Sequence, residues 1–338
     1  LERWFWFADA PVQMNFVDEG LYRFVAPILE ELRQDAAPFA EFALEFRTSG
    51  ELHSPPEACL VHEGTLGAGI TVPGRILAGA GKEWLVVDGA GSVEVDLIER
   101  KASIWIMPDA DALTASTVAL FAFDVILSSM GQELLHGAAL VLPDRNESIL
   151  LFAPSGAGKT TTALALAMSG FGIVTDDALV LDRKRSTCSA WGFPRPMKVH
   201  WRTSDLLPVL KGVMPPGWNR EGEQILTRVQ FAKVGKVAIQ ANLPVRAVFI
   251  LGKRSDGSHA IDHMSKADVA LALATDNIGI SQVGVLPRHV RKLEAVTSLL
   301  TSPGVLSARL HVGTALHSLG TDIARYCEAI ATRVAGAA

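Results

Sequence analysis

The chain has 338 residues, 49% hydrophobic and 20% charged, with 31 basic against 36 acidic side chains and a net charge of -5. This composition excludes intrinsic disorder, collagen-like repeats and coiled coil, and the length predicts two domains whose cores need no disulfide or metal. Without a basic excess, no nucleic-acid partner is expected.

Cys59, Cys188 and Cys327 lie far apart with no CxxC pair, a usage that fits a reducing cytosol and argues against a zinc site or disulfide framework. Residues 1–11 lack the basic-then-apolar pattern of a secretory signal. The most apolar long stretch, 113–130, carries Asp124 near its middle and several Ser and Thr residues. It is read as a buried helix rather than a membrane span. A cytoplasmic protein with no membrane partner is expected.

In chain order, residues 1–112 are expected to form a smaller α+β domain that recognises a substrate or partner. The aromatic run Trp4, Phe5, Trp6 and Phe7 reads as core or packed edge strand. Residues 22–32, apolar at Phe24, Ile28, Leu29 and Leu32, fit a short helix. Residues 84–87 and 92–98 read as strands joined by a turn. The second domain, 113–338, opens on a predicted helix at 116–127. His136-Gly137 then leads into a strand at 138–142, a turn at 143–147 and a strand at 148–152, most simply an antiparallel hairpin.

That second strand runs into Ala153-Pro154-Ser155-Gly156-Ala157-Gly158-Lys159-Thr160, followed by Thr161-Thr162 and an Ala/Leu-rich helix pattern. Strand, glycine-rich loop, Gly-Lys-Thr and helix, in that order, make a phosphate-binding loop for a nucleoside triphosphate. Gly156 and Gly158 let the backbone turn its N–H groups inward, and the helix N-terminus adds partial positive charge. Nucleotide contacts are expected from Ser155, Gly156, Ala157, Gly158, Lys159, Thr160 and Thr161. Lys159 would reach the β- and γ-phosphates, and the Thr160 hydroxyl would ligate Mg²⁺. The loop departs from GxxxxGK[ST] only at Ala153, where the smallest replacement for glycine is expected to leave it intact.

A short strand at 171–175 then delivers Asp176-Asp177, before a further strand at 178–182. Beside a phosphate loop, one carboxylate can hold Mg²⁺ while its neighbour accepts a proton from an attacking hydroxyl.

From His136 to Asp182 these motifs resemble the HPr kinase/phosphorylase family, whose nucleotide-binding core is shared with ATP-dependent phosphoenolpyruvate carboxykinase. In that family a His-Gly opens a strand, a hairpin leads into an SGxGKS-type loop, a helix follows, and a strand ends in Asp-Asp. The matching positions are His136-Gly137, Ser155 to Thr160 and Thr175-Asp176-Asp177. The resemblance implies an α/β fold with a P-loop kinase core of that type, ATP and Mg²⁺ as cofactors, and assembly into a homo-oligomer. It also implies roles: Asp177 as the base on a serine hydroxyl, Asp176 and Thr160 at Mg²⁺, and His136 tuning the acidic pair.

The bifunctional members follow GKS with Glu, where this chain has Thr161. They also carry a glycine-rich signature with an acidic residue ahead of it, where this chain reads Trp191 to Val199. The expectation therefore moves from the phosphorylase reaction and HPr toward the HPr-kinase-related enzymes of peptide-modification clusters. Among these are the lasso-peptide kinases, which phosphorylate a serine of a precursor peptide. A serine kinase acting on a peptide or small protein is expected, with a nucleotide-binding regulatory module or a metabolite kinase as alternatives.

Further candidates lie downstream. If 197–202 is one strand, Lys198, His200 and Arg202 share a face. Arg195, Lys198 and Arg202 are then expected to bind substrate, with a solvated strand face as the bland alternative. Residues 212–224, rich in Gly, Pro and polar residues, read as a long loop and candidate lid. His259 and His263 have helical ligand spacing but no third ligand nearby, and are read as surface histidines. Arg288, His289, Arg291 and Lys292 open a helix over 288–300 and are read as solvated, or else as facing a partner.

Overall fold

The computed structural model describes residues 1–17, 19–35, 37–55, 58–65, 73–154, 156–183, 187–238, 242–278 and 286–335. Among them no helix is long and apolar enough to cross a membrane. The chain divides into two compact units, Leu1–Glu133 with Gly279–Lys292, and Leu134–Ile278 with Leu293–Ala338. The first unit therefore runs past the boundary expected at 112.

The strands of the first unit are β1 (Glu2–Phe7), β2 (Ala10–Phe16), β3 (Arg33–Gln34), β4 (Phe42–Thr48), β5 (Cys59–Thr65), β6 (Pro73–Gly79), β7 (Lys82–Val87), β8 (Gly91–Asp96) and β9 (Lys101–Ile106). Its helices are α1 (Glu19–Leu29) and α2 (Ala112–Ser129). The strands form one 9-stranded sheet of order β3-β1-β2-β4-β9-β8-β7-β6-β5, antiparallel except where β4 lies parallel to β2 and β9. Period-2 alternation sets the buried side: Val12, Met14 and Phe16 of β2 and Val93 and Val95 of β8 are buried. Helix α2 lies across β7, β8 and β9, with Val118, Ala122, Phe123, Val125 and Ile126 buried.

Asp124 sits in the middle of that apolar helix, which poses a desolvation problem. Arg288 solves it at 3.0 Å and Lys292 at 2.8 Å. Arg288 also reaches Glu83 at 3.4 Å and lies over the Phe121 ring at 4.5 Å. Arg288 and Lys292 are only 5% and 8% exposed. The reading of this cationic run as solvated or partner-facing is therefore corrected: these two charges are internal counter-ions of a buried carboxylate.

The second unit is entered through β10 (Gln132–His136) and continues with β11 (Ala138–Val141), β12 (Ser148–Phe152), α3 (Lys159–Met168), β13 (Gly172–Thr175), β14 (Ala178–Asp182) and β15 (Ser189–Gly192). Then come β16 (Met197–His200), α4 (Trp201–Leu206), β17 (Glu223–Leu226), α5 (Arg228–Phe231), β18 (Leu243–Leu251) and β19 (Ala260–His263). Helix α6 (Lys266–Asn277), helix α7 (Pro287–Thr301), which belongs to the first unit as far as Lys292, strand β20 (Leu306–His311) and helix α8 (Leu319–Ala335) complete it.

The main sheet has the order β10-β14-β15-β18-β12-β11-β13, with β20 also on β18 and β19 on β20. β12, β18 and β20 run parallel, while β11 forms the expected antiparallel hairpin with β12. Alternate side chains feed two cores. Leu140, Leu151, Phe249 and Leu310 pack with Leu164 of α3 and Ile323 of α8. Ala139, Leu150 and Val248 pack with Val269 of α6 and Val296 of α7. The unit is thus a mixed α/β layer structure, and its strands read as near-continuous apolar runs because both faces are covered.

Residues 260–263 form β19, so the spacing of His259 and His263 is not that of helical ligands, and His263 is exposed, in line with its reading as a surface histidine. His259 Nδ1 instead accepts the Gly313 backbone N–H at 2.8 Å. Strand β16 stops at His200 because that side chain accepts the Arg202 backbone N–H at 3.2 Å and caps α4. Arg202 therefore does not extend the strand face of Lys198 and His200, and its guanidinium lies 5.3 Å over the Trp201 ring. The last residues of the 212–224 stretch are strand rather than loop, since β17 pairs antiparallel with β16.

Candidate functional site

The end of β12 turns into α3 through two left-handed glycines, Gly156 at φ 78° and Gly158 at φ 97°. Nothing lies within 4 Å of where a Cβ would sit on either one. Backbone conformation, not crowding, therefore selects glycine here. Ala153 is buried and is not among the positive-φ residues, so an alanine there carries no backbone penalty. Ser155 lies outside the described residues. The Ala157 N–H donates to the Pro154 carbonyl at 3.2 Å, and α3 begins at Lys159 with Gly158 as its N-cap. Gly156 and Ala157 are exposed, so that side of the loop is open to a ligand.

At the head of α3, Lys159 is 8% exposed and its Nζ lies 3.0 Å from His136 Nε2 and 3.9 Å from Asp177 Oδ1. His136 Nδ1 meets Asp177 Oδ1 at 2.9 Å. An ammonium can only donate, so His136 accepts through Nε2 and carries its proton on Nδ1, toward the carboxylate. Arg195 Nη1 donates to the other carboxylate oxygen, Oδ2, at 2.7 Å. The Thr160 hydroxyl donates to Asp176 Oδ2 at 2.9 Å. Sequence-distant His136, Lys159, Thr160, Asp176, Asp177 and Arg195 thus meet in one cluster.

Local sequence explains how they arrive. Gly137 follows His136 because a Cβ there would come within 2.5 Å of Leu179 and 2.7 Å of Phe152. Its N–H donates to the Asp177 carbonyl at 3.0 Å. Gly192 passes so close to β13 that a Cβ would sit 2.6 Å from the Val174 carbonyl oxygen. Phe193 is buried and its N–H bonds the Ala178 carbonyl at 2.9 Å. The Gly-Phe-Pro-Arg run thereby brings Arg195 to the acidic pair.

The two carboxylates are driven apart electrostatically. Burial first, and the neighbouring Asp177 charge second, push Asp176 up to about 6 against the opposing Thr160 hydroxyl and Lys159. Burial would also raise Asp177. The hydrogen bond from His136 and the charges of Arg195 and Lys159 override it and hold that carboxyl well below the usual range. Burial lowers Lys159, against the attraction of Asp177 and Asp176.

Two partners carried no sequence signal. The Asn277 side-chain carbonyl accepts the His136 backbone N–H, and Thr203 shares a 2.7 Å hydroxyl contact with Thr161. Lys198 is exposed on β16 and makes no contact with the cluster among the interactions described. Hard oxygen donors at Thr160 and Asp176 fit Mg²⁺, which takes one or two protein oxygens and leaves the rest to phosphate and water. A dication would also reverse the upward shift of the buried Asp176. Among the described residues no group of three or more His, Cys, Asp or Glu is placed to hold a metal ion. No protein-family model matches the chain, and no curated protein matches it.

Proposed function

We propose that the second unit is an ATP-dependent phosphotransferase with a P-loop kinase core of the HPr kinase-related type, acting on a serine hydroxyl of a peptide or small protein. The observation that carries this reading is the joint placement of Lys159, His136, Asp177 and the Thr160–Asp176 pair at the end of a glycine-hinged strand-to-helix turn. A passive nucleotide switch has no need of an ionised second carboxylate beside its phosphate lysine.

Each side chain has a task in that chemistry. The loop amides and Lys159 would bind the phosphates, Lys159 leaving His136 to do so. Thr160 and Asp176 would hold Mg²⁺, which neutralises phosphate charge when bound. Asp177, ionised throughout the physiological range, accepts a hydrogen bond from the acceptor hydroxyl and takes its proton. Phosphoryl transfer through a loose transition state asks little basicity of that group, so a carboxylate held low is adequate. His136 fixes the orientation of Asp177, and Arg195 guards its other oxygen. For a peptide acceptor, support comes from β16–β17, a two-stranded sheet that follows Arg195 directly. It exposes Lys198 and Ile225, and Trp201 beside it is 42% exposed.

Intact-mass spectrometry tests the reading, using candidate precursor peptides incubated with ATP, Mg²⁺ and the protein. A gain of one phosphate that disappears in Asp177→Asn supports it. Nucleotide binding without transfer to any peptide would favour a regulatory module or a metabolite acceptor.

A further inference from the structure

The first unit contains a recess, built by none of the residues of the candidate site. Its volume is about 280 Å³, and it is lined by His53, Ser54, Pro55, Trp84, Glu94 and Trp105. Cross-strand register explains the lining. Trp84 stands opposite Glu94 on β7–β8, and Ser92 stands opposite Trp105 on β8–β9. Ser92 and Glu94 are two residues apart, so all four share one face of the sheet.

The walls are fixed by specific bonds. Trp84 Nε1 donates to Glu94 Oε2 at 3.0 Å. The His53 ring stacks on Trp105 at 4.3 Å between centroids. The His53 backbone N–H donates to Ser92 Oγ at 3.0 Å, which pins this loop onto the sheet. Lys82 bridges Glu94 at 2.6 Å and Asp96 at 3.1 Å. One ammonium against two carboxylates leaves this group with net negative charge.

We propose that this recess binds the guanidinium of an arginine side chain presented by a peptide or protein partner. Indole faces attract cations through their quadrupole, and a carboxylate within the same walls adds a charged acceptor. A planar guanidinium can stack against the rings and donate to Glu94 together, which a compact ammonium cannot do. The cavity falls below the range of about 300–1,000 Å³ typical of whole small-molecule sites, which leaves room for a single side chain. The proposal does not rest on the phosphotransferase reading, and its test contains no nucleotide.

The test is an NMR titration of the full chain, following the tryptophan indole N–H signals. The probes are the Nα-acetyl amides of arginine, lysine and citrulline. The Trp84 and Trp105 signals should move and saturate with the arginine probe, require roughly tenfold more of the lysine probe, and ignore the isosteric, neutral citrulline probe. Glu94→Gln should weaken arginine binding roughly tenfold. His53→Ala, at the exposed rim, should weaken it with the rest of the spectrum unchanged. An equal response to citrulline or lysine, an unaltered affinity in Glu94→Gln, or shifts confined to other indoles would each overturn the proposal.

Discussion

Arg195 and Asp177 are joined at 2.7 Å through the carboxylate oxygen that His136 leaves free. The proposed base is therefore held on one side by an imidazole and on the other by a guanidinium. Asp177→Asn should lower phosphoryl transfer by about 10²–10⁴-fold, the usual range for a lost acid–base group. ATP binding should not weaken, because this carboxylate competes with phosphate for Lys159. Single-turnover kinetics beside a nucleotide titration separate the two effects, and an undiminished transfer rate would remove Asp177 from the mechanism.

Asp176 makes an opposite prediction for stability and for binding. Its carboxyl holds a proton more tightly folded than unfolded, so its favourable contribution is complete below the unfolded value, near 4. That contribution is lost as pH rises through about 6. Asp176→Asn should therefore stabilise the ligand-free protein at pH 8 by on the order of 2 kcal/mol. The gain should shrink as pH falls through about 6 and vanish below about pH 4, where Asp176 is protonated in both the folded and the unfolded chain. The same change should abolish Mg²⁺-dependent ATP binding and the proton release that accompanies it near pH 6. Paired urea titrations and calorimetry in two buffers measure both signs.

Gly137 is where backbone shape and chemistry meet. Gly137→Ala would drive a Cβ into Leu179 at 2.5 Å and Phe152 at 2.7 Å. An overpacking cost of about 1–3 kcal/mol is expected, with His136 displaced from Lys159. Ala153→Gly should keep ATP affinity, since the alanine is not in a left-handed conformation. Equal stability of wild type and Gly137→Ala in urea would show that the strands can part to admit a methyl group.

The glycine-hinged turn from β12 into α3 and the adjoining Asp176-Asp177 were legible in the sequence because their residues are contiguous and their spacing states the geometry. The hairpin at 138–152 was legible for the same reason: one turn sets its register. Asn277 under His136 was not, because a contact across so much chain leaves no local pattern. Neither was the end of β16, where a histidine cap on α4 overrode a period-2 reading. The placing of β4 between β2 and β9 depends on long-range parallel pairing, which turn chemistry cannot encode. The cations of α7 misled for a physical reason. A charged helix start usually means solvent, and only the buried Asp124 of another helix makes the core the better place for Arg288 and Lys292.

That cluster supplies the last prediction. Asp124→Leu would leave Arg288 and Lys292 buried without their shared carboxylate, so a loss of about 3–5 kcal/mol is expected. Lys292→Met alone should also destabilise, by stranding part of the Asp124 charge. The double change Asp124→Leu with Lys292→Met removes both members together and leaves Arg288 beside Glu83. It should recover most of the loss, because well-packed apolar replacements of a buried pair are often neutral or better. A double-mutant cycle in urea measures the coupling. Strict additivity of the single changes would mean that water reaches this cluster and screens it, contrary to the burial of Arg288 and Lys292.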